Sequence, residues 1–581
     1  MDRQCARHRT FLSLGLVVLV FLSAWPVFGA TITVTNTSDS GAGSLRDAIA
    51  SAANGDTINF ALSYPATITL STPLTFGPSV NITGPGASNL TISGGDSVVV
   101  FIVNAGATVE ISGLTVVHGS SLLGGGVFNA GTLTLDSVTV SNCTVGNQLG
   151  GGIFSSGTLN LNNSHVDGNV AGNAGSPGEQ GNGGGIYNSS GTLTVTNSDV
   201  SNNQVIGNLP AILGEGDGGG IYINAGTLIV QGSTIESNFG VLGGGIFLNV
   251  GGTLTLTGST VSANSSLAGG NGIYTFGTTT ISGSTISGNI TAPGGNSSGG
   301  GIQASNPGTL TVTNSTIWGN VATLGGGIEG INNEIKLAFV TIGGNTGVTG
   351  GGLRLFAGGG ASIELKIIGS ILASNGSSGN CSFDAPGGTE SILSGGFNLS
   401  DDASCSNFLT QTGDVNGTPA GLSPSGLANN GGPTETVALV AGSPAINAIP
   451  VNPMDCTDTS GNAVTTDQRG VPRPQGPACD IGAFEFFQSR FTVLAVQTYS
   501  LIASVQKLPV PPPIVTDLTA PLEAAVSALN AGRIQPAMGQ LGSFVNTVHG
   551  LVLDNVLTPQ QASPLTTSAA AIIASLQGPG H

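Results

Sequence analysis

Short runs in which apolar and hydroxyl residues alternate recur down the chain, as in Thr309-Leu310-Thr311-Val312 and Ser315-Thr316-Ile317, each bounded by glycine or asparagine. Alternation with period two marks a strand with one face buried and the other solvated. Leu310, Val312 and Ile317 are expected to point into a core, and the threonines and serines into solvent. The runs keep a fixed order: a glycine cluster with an apolar residue, a GTLTV-like strand, then a second short strand of the form S-T-I-x-G-N, with the fullest copy from Gly299 to Asn320. Clusters begin at Gly124, Gly150, Gly183, Gly218, Gly243, Gly299, Gly325 and Gly350, with a weaker one at Gly269, so the unit is roughly 25 to 35 residues long. About three short strands per unit suit one rung of a parallel β-helix; the shorter copies hold too few residues for a four-stranded propeller blade. One rung cannot bury its apolar side alone, but stacked rungs share a continuous core. The expected fold is all-β, a parallel β-helix.

Aligning the second strands yields a column of asparagines: Asn169, Asn203, Asn238, Asn264, Asn289, Asn320, Asn345 and Asn375. An asparagine amide both donates and accepts, so it can bond the rungs on either side, and the residue tolerates a left-handed turn. The column resembles the asparagine ladder of right-handed parallel β-helix proteins, which implies a right-handed, pectate-lyase-like solenoid. Cys143 takes the ladder position in the first clear rung and reads as a small buried thiol capping the ladder.

The ends of the chain differ in pattern. Residues 1–30 carry Arg3, Arg7 and Arg9, then an apolar run from Phe11 to Leu22 and small residues at Gly29 and Ala30. That is the layout of a secretory signal peptide, and the run is short for a membrane span. The protein is expected to be exported. From Phe491 to Gln577 glycine thins out and helical spacing appears, as in Leu522, Val526 and Leu529 and in Leu541, Phe544, Val545 and Val548. Prolines 509 and 511–513 separate the first helix from the second, and Thr558-Pro559 reads as the N-cap and first residue of the last. A bundle of about four helices is expected there.

Three stretches resemble known bacterial modules. Gly43 to Phe60, GSLRDAIASAANGDTINF, resembles the CSLREA motif of secreted β-helix proteins, with Gly43 replacing the cysteine; its short amphipathic helix, with Ser44 and Asp47 as a capping box, would cover the first rung. Residues 443–448, SPAINA, and 466–485, TDQRGVPRPQGPACDIGAFE, resemble the choice-of-anchor Q domain found near the C-terminal end of bacterial surface β-helix proteins. Arg469 and Arg473 beside Asp467, Asp480 and Glu485 read as ion pairs that fix an irregular cap. Phe544 to His549, after Leu529 to Gly532, resembles the FIMAH domain, a helical module of exported proteins; His549 matches its histidine and sits near a helix end, where a cation suits the dipole. The expected domains are a signal peptide at 1–30, a solenoid at 31–440, a C-terminal cap at 441–488 and a helical domain at 489–581. The chain ends in neither an apolar helix with a basic tail nor barrel strands closing on an aromatic residue, so a complete autotransporter is not expected.

Composition narrows the function. Asp and Glu number 30 against 12 Lys and Arg, only 7% of residues are charged, and 96 are glycine. Phosphate binding needs a basic stripe, and none exists, so nucleic acid is not an expected partner. In an exported chain, Cys381, Cys405, Cys456 and Cys479 allow three pairings, of which Cys381–Cys405 with Cys456–Cys479 is the simplest. Zinc is disfavoured, since no CxxC pair and no nearby histidine supports it.

Fold does not choose chemistry, and three classes of function follow. The first is non-catalytic binding or adhesion to glycans or cell surfaces; the second is a polysaccharide lyase or glycoside hydrolase; the third is a structural or ice-binding rod, suggested by Thr234, Thr260, Thr285, Thr316 and Thr341, although the unequal rung lengths count against a regular ice-matching face. Aligned rungs place His165, Asp167, Asp199 and Glu236 on outward positions of one strand in three consecutive copies. Insertions at Val170 to Asn182 and Gln204 to Asp217 would wall this patch into a cleft. Paired carboxylates about 5 to 9.5 Å apart serve glycoside hydrolysis. A lyase needs a positive charge against the enolate; no Arg or Lys lies between Arg46 and Lys336, so calcium would have to supply it, and no other cofactor is expected. Glu329, Glu334, Lys336, Arg354, Glu364 and Lys366 form another charged cluster, read as ion pairing on exposed strands. The reading adopted is binding without catalysis.

Overall fold

The computed structural model describes residues 29–172, 181–206, 216–451, 456–486, 490–530 and 533–577. Residues 1–28 of the expected signal peptide lie outside them. Among the described residues the strands wind into a parallel solenoid with two sheets of 14 strands, one of 12 and one of seven. We name them in the order in which one turn visits them, using the turn that begins at Ile221. Ile221–Ile223 belongs to sheet C (12 strands), Thr227–Gln231 to sheet A (14), Thr234–Glu236 to sheet B (14) and Phe239–Leu242 to sheet D (seven). Sheets A, B and C enclose the apolar column that the alternation predicts: Leu310, Val312 and Ile317 are wholly buried. The fourth strand was not expected. Sheet D lies against the outer face of sheet C, where Phe154, Tyr187, Tyr222, Phe247 and Tyr274 stack at centroid separations of 4.9–5.6 Å under Val241 and Leu242.

Hydrogen bonding along the solenoid axis locks the register. Asn203 donates through Nδ2 to Asn238 Oδ1 at 3.0 Å and to Val166 O at 2.8 Å, while its backbone N–H also donates to Asn238 Oδ1 at 3.0 Å. The same pattern runs from Asn169 to Asn375, and Asn375 continues it by donating to Asn380 Oδ1 at 2.9 Å. Each amide from Asn203 to Asn375 thus makes two donations and accepts two, the full satisfaction that a buried amide requires. The ladder asparagines do not themselves take the left-handed turn. That conformation belongs to the residue before each, such as Asn202 (φ 54°), Ser237 (φ 56°) and Ala263 (φ 54°). A second ladder, of serine hydroxyls, stands at the corner between sheets A and B: Ser198 N donates to Ser233 Oγ at 3.1 Å and Ser233 N to Ser259 Oγ at 3.2 Å. Glycine at the third cluster position is forced by the asparagine ladder. A Cβ on Gly220 would lie 3.0 Å from the Asn238 amide and 2.7 Å from Gly245 O.

Helix α1 (Leu45–Ser51) covers the first rung with Leu45, Ala48 and Ile49, and its N-cap Ser44 accepts from Asp47 N. At the other end the loop bridged by Cys381 and Cys405, with Cα atoms 5.3 Å apart, closes the core with Leu409. The last parallel strand is Val415–Asn416, earlier than the expected end of winding at 440. From Ala420 to Phe486 the chain doubles back along the flank of sheet B instead of capping the end. Cys456–Cys479 lies in this segment, with Cα atoms 6.1 Å apart. Helices α2 (Arg490–Gln506), α3 (Pro512–Asn530), α4 (Ile534–Leu553) and α5 (Pro559–Gln577) follow and bury a core of their own around Leu522, Leu541, Phe544 and Leu565. Thr558 and Gln561 cap α5 reciprocally, at 2.8 and 3.2 Å.

Candidate functional site

The patch singled out in the sequence lies on the outward side of sheet B. Register places His165 directly against Asp199, and Asp167 against Ser201, with Glu236 the next residue in that second column. The four residues therefore share one strip over three rungs but occupy two columns. His165 Nδ1 lies 3.0 Å from Asp199 Oδ2, and both side chains are about half exposed. Asp167 Oδ1 accepts from Ser201 Oγ at 3.0 Å and from Asn202 Nδ2 at 2.7 Å. Asp167 and Glu236 stand two rungs apart, roughly 9.6 Å at the usual strand spacing. A second pair, His118 with Asp96 at 3.3 Å, extends the strip toward the N-terminal rungs. Side chains this exposed interact weakly through water, but they offer donors and acceptors to a ligand. Most of the insertions expected to wall the patch, residues 173–180 and 207–215, lie outside the described residues. Their described roots enter sheet D at Val170–Ala171 and Gln204–Val205.

The strip is open because the doubled-back segment stops short of it. Farther along sheet B the segment covers the surface. Thr316 donates to Gln468 Oε1 at 2.6 Å, Thr285 to Glu435 O at 2.5 Å, and Ala483 N to Thr341 Oγ1 at 3.0 Å. Thr285, Thr316 and Thr341, expected in solvent, are thus buried under protein, and only Thr234 and Thr260 of that suggested ladder keep partial exposure. The segment is pinned by buried charges. Arg469 pairs with Asp467 at 2.6 Å and lies over the Phe484 ring; Arg473 pairs with Glu485 at 2.8 Å and lies over the Phe339 ring. Asp480 accepts from Asn447 N at 2.6 Å, and burial, reinforced by the charge of Glu485, pushes it up to about 7.

The other charged cluster divides in two. Glu334, Lys336, Glu364 and Lys366 pair at 2.8–3.3 Å on the outer face of sheet A, where strand neighbours i and i+2 meet. Glu329 and Arg354, expected on exposed strands, instead form a buried pair on sheet C, in the column that continues the aromatic stack from Tyr274 through Gln303. Burial raises the Glu329 carboxyl despite Arg354. Among the described residues no group of three or more His, Cys, Asp or Glu side chains converges as metal ligands. Cys143 is fully buried at the head of the asparagine ladder: its N–H donates to Asn169 Oδ1 at 3.0 Å, and burial pushes the thiol up to about 12, so it stays a neutral thiol. His549 is exposed in the last turns of α4.

The aromatic column and the serine ladder were both missed in the sequence. The signals were an aromatic residue two places after the glycine cluster in six successive rungs, from Val127-Phe128 to Ile273-Tyr274, and a serine before most of the second strands, as at Ser164, Ser198, Ser233, Ser259, Ser284 and Ser315. No helix among the described residues is long and apolar enough to cross a membrane. No curated protein and no solved structure matches the chain. Residues 79–289 match the family model described as right handed beta helix region, and, with each solenoid ladder parallel, the fold is a right-handed parallel β-helix.

Proposed function

We propose that this chain is an exported bacterial surface or extracellular protein that binds glycans or other surfaces through the open strip of sheet B, without turning its ligand over. The observation that carries the reading is the strip itself. His165, Asp199, Asp167 and Asn202 form a half-exposed network of donors and acceptors on a rigid sheet, beside the point where the segment from Ala420 to Phe486 leaves the flank uncovered. Sugar hydroxyls exchange their water for such groups at little cost when the groups are held in place beforehand. Export is supported by the pattern of residues 1–30 and by two disulfides, which persist in oxidising compartments. The resemblance of residues 43–60 and 466–485 to CSLREA and choice-of-anchor Q segments supports a place at the bacterial surface, and that of the last helices to the FIMAH module supports a separate accessory role for 489–581. Purified protein retained on immobilised acidic or neutral polysaccharides, with retention lost in Asp167→Ala and Asp199→Ala, is the expected result. Retention unchanged in both variants would remove the strip from the account.

A further inference from the structure

Sheet A presents a second face, separate from the strip on sheet B. From Thr108 to Thr313 eight successive strands pair in parallel over five residues each, with no register shift. The first outward position is threonine in all eight, from Thr108 to Thr309. In the last five of these strands, 192–196 to 309–313, the fifteen outward positions are twelve threonines with Ile229, Gln231 and Ser282. None of the fifteen is ionisable and none is aromatic. Side-chain hydrogen bonding within that block is, among the described residues, confined to Thr257 with Ser282 at 3.4 Å. The unequal rung lengths do not disturb this face. The extra residues fall in the chain between the strands of sheets D and C, at 172–182, 206–217 and 292–301, while each of these eight strands of sheet A keeps five residues.

We propose that this face binds ice. The hydroxyls of the first two columns stand on a mesh of roughly 4.8 Å between rungs by about 6.7 Å along a strand, close to the oxygen repeat on the prism faces of hexagonal ice, while Thr257, Ser282 and Thr313 of the third column line a cleft against residues 463–470 and helix α2. Threonine is stiff at χ1, so the mesh is set before contact. Each hydroxyl donates once and accepts, which suits a lattice of water, and each methyl orders the water beside it. A single such bond contributes only about 1 kcal/mol, so the face needs a ligand that repeats in register with many hydroxyls and has already lost its own freedom. A crystal meets that condition; a flexible soluble chain would have to be ordered on binding. Phosphates and sulfated glycans find no cation among the fifteen positions, since Lys336 on the next rung is paired with Glu334, and sugar rings find no aromatic platform there.

The test uses the full chain cooled with a single ice crystal, with growth arrest below the melting point and ice recrystallisation as readouts. Wild type should arrest growth and shape the crystal. Thr255→Tyr and Thr280→Tyr, which place a bulky ring in the middle of the mesh on outward positions, should reduce both readouts to the level of buffer alone while circular dichroism and the thermal midpoint stay those of wild type. Thr139→Tyr on sheet B should leave both unchanged. Asp167→Ala should also leave both unchanged, so the reading of the glycan strip and this one fail separately. Folded wild-type protein without effect on ice, or Thr255→Tyr and Thr280→Tyr that keep the effect, overturns the proposal. So does retention on crystalline cellulose or chitin that Thr255→Tyr abolishes while ice is ignored, which would give the face to an ordered polysaccharide.

Discussion

Replacing Asn238 by alanine removes one step of the ladder that fixes the register. Its Nδ2 donates to Val200 O and Asn264 Oδ1, both at 2.9 Å, and its Oδ1 accepts from Asn203 N and Asn203 Nδ2, both at 3.0 Å. Asn264 Oδ1 keeps the backbone donor of residue 238, at 3.0 Å. The backbone N–H of Asn203 and one hydrogen of its amide are left buried without a partner, while the other amide hydrogen keeps Val166 O. At roughly 1–3 kcal/mol for each orphaned donor, with a few tenths for lost packing, the cost is about 4 kcal/mol. A solenoid responds locally, because each rung touches only its neighbours. The sensitive assay is therefore native-state hydrogen exchange, with the thermal midpoint as a second readout. Amides in rungs 199–206 and 234–242 should exchange faster by roughly two to three orders of magnitude, since each 1.4 kcal/mol is tenfold. Asn238→Asp keeps the shape but sets a second oxygen against Val200 O and Asn264 Oδ1, so at neutral pH it should be at least as harmful. Ser262→Ala, on the outward side of the next rung, should stay within about 0.5 kcal/mol. If Asn238→Ala changes stability no more than Ser262→Ala, the ladder does not hold the register and the reasoning fails.

Further outcomes follow from the ends and the flank. Burial raises Asp480 to about 7 from an ordinary 3.8, so the folded state binds a proton that the unfolded state releases between those values. Stability of the segment from Ala420 to Phe486 should therefore fall as pH rises from about 4 to about 7 and level off above that. Asp480→Asn should flatten that part of the curve in denaturation measured across pH, and an unchanged slope would count against the assignment. Opening the loop between Cys381 and Cys405 in a double serine variant should destabilise the C-terminal rungs by about 3.5 kcal/mol, from the chain entropy of a loop of that length, read as lost exchange protection around 371–416. Ending the chain at Phe487 should leave the solenoid's thermal transition in place, because the helices bury their own core. Loss of the transition would make the contact of Val496 with the segment at Gly431 and Phe484 part of the rod's own stability.

The rungs were legible because the same short-range physics repeats. Period-two alternation places Leu310 and Val312, the glycine before each sheet C strand makes room for the ladder amide, and the asparagine recurs at the end of each second strand. Sheet D was not legible. Its strands, such as Val170–Ala171, Gln204–Val205 and Phe239–Leu242, are short and share no motif, and what defines them is the aromatic column they cover. The doubling back of residues 420–486 was hidden for another reason. Gln468 meets Thr316 across 152 residues, and a single long-range contact leaves no periodic trace. That is why a threonine ladder read as exposed on sheet B proved half covered, while the regular array stood on sheet A. Candidate residues were legible as outward positions on one strand, but their pairing depended on register: His165 met Asp199 directly, and Ser201 came between Asp167 and Glu236.

The most direct test of the account is to incubate the folded protein with each polysaccharide that retains it, with and without calcium, and to assay for new reducing ends and unsaturated ends. The account expects retention with no new ends under either condition. Release of such ends, abolished by Asp167→Ala or Asp199→Ala, would contradict it and make the strip an active site.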